Sequence, residues 1–420
     1  MATTPIPVTA GKTRWIQLAL GLIVMMAISS PQYVWTLFVK PLQGATGAAL
    51  PALQITFSIL IVLQTWLSPL QGWLVERFGP KLLVALGAAL SGLGWFLASD
   101  ATTLTQVYLT YGVLCGLGTG IVYIGIVGLM ARWFPDRRGF AIGMVAAGYG
   151  MGALATTFPI DTMIKADGHA HTLVFFGVLL GAIGVLAALG LRSPGATDPL
   201  PSPREEIATG PDVGPGQMLR QPVFWLMFLM MTMMSTGGLM VTSNFANFAR
   251  DFGVANVILF GMAALPLALT VDRTLNGFTR PFFGWVSDRI GRENTMGVAF
   301  LLEAVAILLL LLFRDNALAF VLLSGLVFFG WGEIFSLFPS TLTDTFGTRK
   351  ASTNYGILYM SQGVGSVLGG PVAAAIREST GSWIPVFTVA VIMDVLTGLL
   401  ALFVLKQMRK NYLARQVVAA

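Results

Sequence analysis

Stretches of about twenty predominantly apolar residues recur along the whole chain, each long enough to cross a hydrocarbon core of about 30 Å as a helix. In lipid a backbone has to satisfy its own N–H and C=O groups, which restricts spanning segments to helices and closed barrels. The runs are continuous rather than alternating, so a barrel is excluded. Twelve helices are expected, at 15–38, 52–74, 82–99, 104–131, 139–163, 172–191, 221–247, 256–286, 294–313, 317–340, 350–376 and 384–405. With 55% hydrophobic and 10% charged residues among 420, too little polar surface is left for a soluble protein. The 19 Met, 28 Phe and 48 Gly suit close helix packing, where small residues let backbones approach and flexible apolar ones fill gaps.

Between the sixth and seventh runs, Ser193 to Gln217 is rich in Pro, Gly and charge, a composition that builds no core. The expected organisation is a six-helix bundle over 1–192, a linker over 193–219 and a second six-helix bundle over 220–420. Counted on this map, eighteen Lys and Arg fall on one side, including Lys12, Arg77, Arg137, Arg204 and Lys410, and five on the other: Lys40, Lys165, Arg250, Arg314 and Arg377. Positive charge stays inside, so both termini and the linker are expected in the cytoplasm of a cell whose inner membrane holds the protein. The same bias accounts for the net charge of +6, which in a soluble protein would point to nucleic acid. No nucleic-acid partner is expected.

Lys12 and Arg14 precede an apolar run from Trp15 past Met26, too long for a signal-peptide core, which reads as an uncleaved first helix. The single Cys115 sits inside an apolar run and is expected in the core. His169 and His171, between the fifth and sixth runs, are too few to hold a metal and read as part of an exposed loop. Neither a nucleophile with a base nor a metal cluster emerges, so no enzyme, cofactor or metal is expected. No P-loop occurs, which leaves a gradient as the driving force for any transport.

Gly72-Trp73-Leu74-Val75-Glu76-Arg77-Phe78-Gly79 returns as Gly284-Trp285-Val286-Ser287-Asp288-Arg289-Ile290-Gly291, an offset of 212 residues. A second echo pairs the segment from Ala141 with that from Asn354. The two halves share one plan, and repeats of this kind place a binding site near the bilayer midplane. In the loop itself, the acid and the Arg are expected to pair and hold one conformation.

A charged side chain in mid-span costs roughly 2.5 to 3.5 kcal/mol on insertion scales, so it normally faces a cavity and serves a function. In the eighth run Asp272, Asn276 and Arg280 are spaced i, i+4 and i+8, a row along one side of a helix, with Arg273 turned away by about 100°. Arg280 is the candidate carboxylate clamp, because a guanidinium offers a planar two-point match and stays charged. Asn276 would orient the substrate and Asp272 would carry the proton. Glu333, Glu303 and Asp394 are further candidates for the proton.

The repeated G-W-x-x-[DE]-R-x-G loop resembles the cytoplasmic motif of the major facilitator superfamily, which follows helix 2 and again helix 8. Arg132-Trp133-Phe134-Pro135-Asp136-Arg137-Arg138-Gly139, with Gln32-Tyr33-Val34-Trp35 and the stretch from Trp331 to Ser340, is similar to the monocarboxylate porter family. Its proton-coupled lactate transporters and its bacterial oxalate:formate antiporter branch are both near, the latter nearer. The resemblance implies the major facilitator fold, a substrate-binding Arg at Arg280, and aromatic cavity positions at Tyr33, Tyr123, Tyr149, Trp331, Phe335 and Tyr359. It also implies that the second cation of the antiporter branch is replaced by Gln362, and one of its Tyr by Phe335. The acid that precedes the Arg in the proton-coupled branch is replaced by Asn276.

A dianion would lose one of its two cations here, which favours a monoanion. The expected function is therefore symport of a small, lactate-like monocarboxylate with a proton, by a protein acting as a monomer. Carboxylate exchange and drug efflux are the alternatives; efflux would be expected to use a larger apolar cavity without the clamp.

Overall fold

A computed structural model of the protein describes residues 8–195, 198, 200–202 and 210–419. Arg204 and the rest of the linker at 196, 197, 199 and 203–209 lie outside the described residues. The chain forms two compact units: Met1–Pro203 with Thr348–Tyr359, and Arg204–Gly347 with Met360–Ala420. The architecture is all-α, and the described residues supply the twelve expected spans.

In the first unit, Pro31 has no N–H to give the carbonyl four residues earlier, and span 1 accordingly breaks into Val8–Ala27, Ser30–Tyr33 and Trp35–Thr46. Tyr111 Oη donates to the Pro31 carbonyl at 2.8 Å, so the break is satisfied from span 4. Pro69 acts likewise in span 2, where Leu50–Trp66 and Ser68–Phe78 meet at 54°. Span 3 is Pro80–Ala98 and span 4 runs through Leu104–Val107, a π-helical Tyr108–Leu114 and Cys115–Trp133. These two touch backbone to backbone: a Cβ at Gly118 would lie 2.4 Å from the Gly87 carbonyl oxygen. Cys115 is buried there, its thiol 3.5 Å from the Ser91 carbonyl.

Spans 5 and 6 form one run, Arg138–Leu189, interrupted at Gly168. There φ is 82° and ψ 168°, a conformation open to glycine and strained for other residues. The polar loop expected around His169 and His171 is therefore a kink between helical segments, and His169 is half-buried.

The second unit opens with the short Pro215–Met218 helix and span 7, Pro222–Asp251. Residues 256–263, expected as the start of span 8, instead hold a tight hairpin in which Ile258 pairs with Ala263 and Leu259 with Met262. Positive φ at Phe260 (51°) and Gly261 (81°) closes the turn. Span 8 begins at Ala264 and ends at Ile290; span 9 is Arg292–Leu312. Span 10 is broken at Gly332-Glu333 into Ala317–Trp331 and Ile334–Phe346. Span 11 is Ala351–Thr380, and span 12 is Ile384–Leu399, continued through a π-helical Leu400–Leu405. Spans 8 and 11 are the two whose length and apolarity alone would not mark them as membrane-crossing. They also carry Asp272, Asn276 and Arg280, and Tyr359 and Gln362, respectively.

Candidate functional site

The second unit assembles a charged cluster around span 8. Arg280 is 2% exposed, and its Nη2 donates to Asn276 Oδ1 one turn earlier at 2.9 Å. Its guanidinium carbon lies 4.5 Å from the ring centroid of Phe335, a cation–π contact that fixes one face. Asn276 thus positions the guanidinium directly, while its Nδ2 reaches the Phe328 carbonyl at 3.4 Å. Thr279 donates to the next carbonyl, Phe329. Both acceptors lie just before the break in span 10: the Phe328 carbonyl also keeps the Gly332 N–H at 3.2 Å, and the Phe329 carbonyl takes the Thr279 hydroxyl from span 8. Gly332 permits this: a Cβ there would lie 2.6 Å from the Asn276 carbonyl oxygen.

Trp331 is held by its indole N–H donating to the Met234 carbonyl at 3.0 Å, and its ring meets Phe335 edge-on at 5.9 Å. Glu333, fully buried at the break, interacts electrostatically with Arg280. Asp272 is also buried, but two helical turns from Arg280, roughly 12 Å along the axis. Its neighbours are Ser324 and Arg273. Glu303 and Asp394, both fully buried, lie near each other and near Glu333. Gln362 Oε1 is buried without a hydrogen-bond donor among the described residues.

The first unit assembles a neutral cluster. Tyr149 Oη donates to Gln32 Oε1 and lies 3.4 Å from Gln64 Oε1, while Gln64 Nε2 donates to Tyr359 Oη at 3.3 Å. Tyr123 stacks on Tyr359 at 5.0 Å and meets Tyr149 edge-on at 5.3 Å; Tyr33 meets Tyr149 at 5.5 Å. Tyr33, Tyr123, Tyr149 and Tyr359, expected from four different spans, therefore form one group. Gln64 was missed in the sequence, although a carboxamide inside the apolar second run was visible. Its partners lie 85 and 295 residues away, and nothing local announces them.

The two copies of the repeated loop correct one expectation. The acid and the Arg of the motif do not pair in either copy among the described residues. Arg77 lies over the Trp73 and Phe78 rings, and Arg289 over Trp285 at 3.5 Å. Glu76 instead accepts from the Thr353 N–H at 2.9 Å and its hydroxyl at 2.6 Å, with Lys350 at 3.5 Å, so it caps the start of span 11. Asp288 pairs with Arg292 at 2.7 Å, and Arg292 in turn with Asp344 at 2.8 Å, all three buried. A neighbouring aromatic takes the flexible Arg of each motif, and the acid goes to the donor that a helix end or a buried guanidinium holds in place.

The family model of the Major Facilitator Superfamily matches residues 18–273 and 267–415. The oxalate:formate antiporter of Oxalobacter formigenes is 34% identical over 399 residues, covering 94% of this chain and 92% of that protein. Monocarboxylate transporter 13 of Bos taurus is 27% identical, covering 81% and 78%. Among solved structures, FucP, a transporter of the same superfamily, in its outward conformation superimposes with a TM-score of 0.71 at 16% identity, over 93% of this chain and 99% of that one. That last likeness is one of fold.

Proposed function

The chain belongs to the Major Facilitator Superfamily, and from that premise we propose that it carries small monocarboxylates across the bacterial inner membrane together with a proton, by alternating access. Its N-terminal and C-terminal six-helix bundles, 1–192 and 220–420, would move about the linker at 193–219, with both termini cytoplasmic and the monomer as the working unit.

The observation that carries this reading is a buried Arg280 in mid-span, braced by Asn276 and Phe335. A guanidinium locked in one orientation is a clamp for a planar carboxylate. Phe335 covers one face of that charge and is itself backed by Trp331, which keeps water from that face and strengthens the charge. Gln362 contributes a neutral polar group, which suits one carboxylate rather than two. Tyr33, Tyr123, Tyr149 and Tyr359 are assigned to the substrate as phenol donors and apolar walls. Asp272 is assigned the proton, with Glu333 as its rival because of its place beside Arg280.

Exchange of one carboxylate for another is the second reading, favoured by the 34% identity to the oxalate:formate antiporter. Uptake of labelled L-lactate into proteoliposomes separates the two. Proton-gradient-driven uptake into empty vesicles, lost in Arg280→Lys, supports symport; uptake only against an internal carboxylate such as oxalate establishes the exchanger. Equal uptake by the unaltered protein and Arg280→Lys would remove the clamp.

A further inference from the structure

At the far end of the second unit, remote from Arg280, a cavity of about 500 Å³ opens among Asn244, Asn247, Arg250, Asp251, Arg377, Glu378 and Trp383. Its walls are the last two turns of span 7, the last turn of span 11 and the start of span 12. Span 8 starts at this end, where the Leu265 N–H donates to the Ala255 carbonyl four residues past Asp251, and Arg280 lies fifteen residues further along it, roughly 22 Å of rise, so this cavity is no part of the clamp.

The charges in it divide into a committed pair and an uncommitted one. Arg377 Nη2 donates to Asp251 Oδ2 at 2.9 Å, and the Trp383 indole N–H donates to the same oxygen at 2.7 Å. Arg377 and Trp383 together take up the Asp251 carboxylate, so this wall is internally neutral. Arg250 and Glu378 form no ion pair among the described residues, and Arg250 is exposed beside the exposed carboxamide of Asn247. A guanidinium with an adjacent amide fits a carboxylate; a carboxylate lining the same cavity keeps such binding weak.

We propose that this cavity is an outer docking vestibule for the transported carboxylate, in which Arg250 and Asn247 capture the anion and Glu378 limits its residence. The proposal rests on the carboxylate and orientation readings above. Opposed charges at a mouth serve recruitment, because a site that bound tightly would retain the substrate. Rim charges act on encounter rate and its salt dependence more than on the final affinity.

The test is the concentration dependence of lactate uptake in right-side-out and everted membrane vesicles, at low and high ionic strength. Arg250→Gln should raise the outer-face KM by about 3- to 10-fold at low salt with Vmax held, and the gap should shrink at high salt. Glu378→Gln should lower the same KM by roughly 2-fold, and Arg250→Lys should stay near the unaltered protein. Everted vesicles should show no change in any variant and so report correct folding. Shifts of the same sign in Arg250→Gln and Glu378→Gln, an unmoved KM, or equal effects from both faces would each overturn the vestibule while leaving the function standing. Absence of carboxylate uptake by the unaltered protein would remove both.

Discussion

The two units carry their buried polar groups in different forms. In the first, Tyr33, Tyr123, Tyr149, Tyr359, Gln32 and Gln64 offer phenols and carboxamides with no formal charge. In the second, Arg280 sits among Asn276, Phe335 and Glu333, with Asp272 two turns away. A network of neutral hydrogen bonds can lose one member and relax around the gap. A buried charge has no substitute, because removing it leaves its bound counter-ion uncompensated. The comparison predicts unequal damage from equal-sized substitutions on its two sides.

The largest effect should come from Arg280→Gln, which removes the charge but keeps a polar side chain. Loss in kcat/KM for lactate uptake should be on the order of 100-fold or more, about 2.7 kcal/mol of transition-state stabilisation. If Tyr149→Phe proved as damaging as Arg280→Gln, the division of labour would be wrong.

Next in size is proton coupling, which sets two acids of the second unit against each other. Asp272→Asn should abolish the dependence of uptake on an imposed proton gradient and leave downhill lactate exchange in place. Glu333→Gln should keep the gradient dependence and raise KM by roughly 10-fold, through its effect on Arg280. The reverse pattern would transfer the proton to Glu333.

How much of this was legible in the sequence follows from the range over which each feature is determined. Spans are local: about twenty apolar residues suffice, and among the described residues helices lie over all twelve expected runs, the eighth starting only at Ala264. Arg280 was legible because a mid-span charge is costly wherever its neighbours come from. The hairpin at 256–263 was not, since Val257, Ile258, Leu259 and Phe260 are as apolar as a helix start, and only the turn geometry at Phe260-Gly261 separates them. The repeat correctly gave two copies of one loop, but not their partners. At the offset of 212 residues Arg292 corresponds to Pro80 and Asp344 to Arg132, so the buried Asp288–Arg292–Asp344 triad has no counterpart in the first unit. Partners chosen across long separations diverge even where the motif is kept.

A smaller effect tests the neutral side. Tyr149→Phe removes one hydroxyl shared by Gln32 and Gln64 and should reduce kcat/KM by about 3- to 10-fold, the range for one ordinary hydrogen bond. Gln64→Leu should cost about as much, and the double variant should cost less than the two losses combined, because both act through one network. Full additivity would mean that Tyr149 and Gln64 serve the substrate independently.

The smallest effect lies at the surface, where each unit carries an exposed Asp–Arg pair. Asp198 accepts from both terminal nitrogens of Arg192, at 2.6 and 2.8 Å, and from the Gly195 N–H at 2.7 Å. Arg192 first, and Gly195 second, hold its carboxyl down at about 2, below the ordinary 3.8. A depressed acid contributes its stabilisation above its unfolded value and loses it only as pH falls through the folded one. The difference in unfolding temperature between the unaltered protein and Asp198→Asn, measured in detergent, should therefore be small and flat from about pH 5 to 8, and shrink only below about pH 4. A slope within the neutral range would show that a group other than Asp198 titrates with the linker. It would also remove the contrast between a surface pair that answers only to strong acid and the buried acids Asp272 and Glu333, to which the proposed coupling assigns the proton.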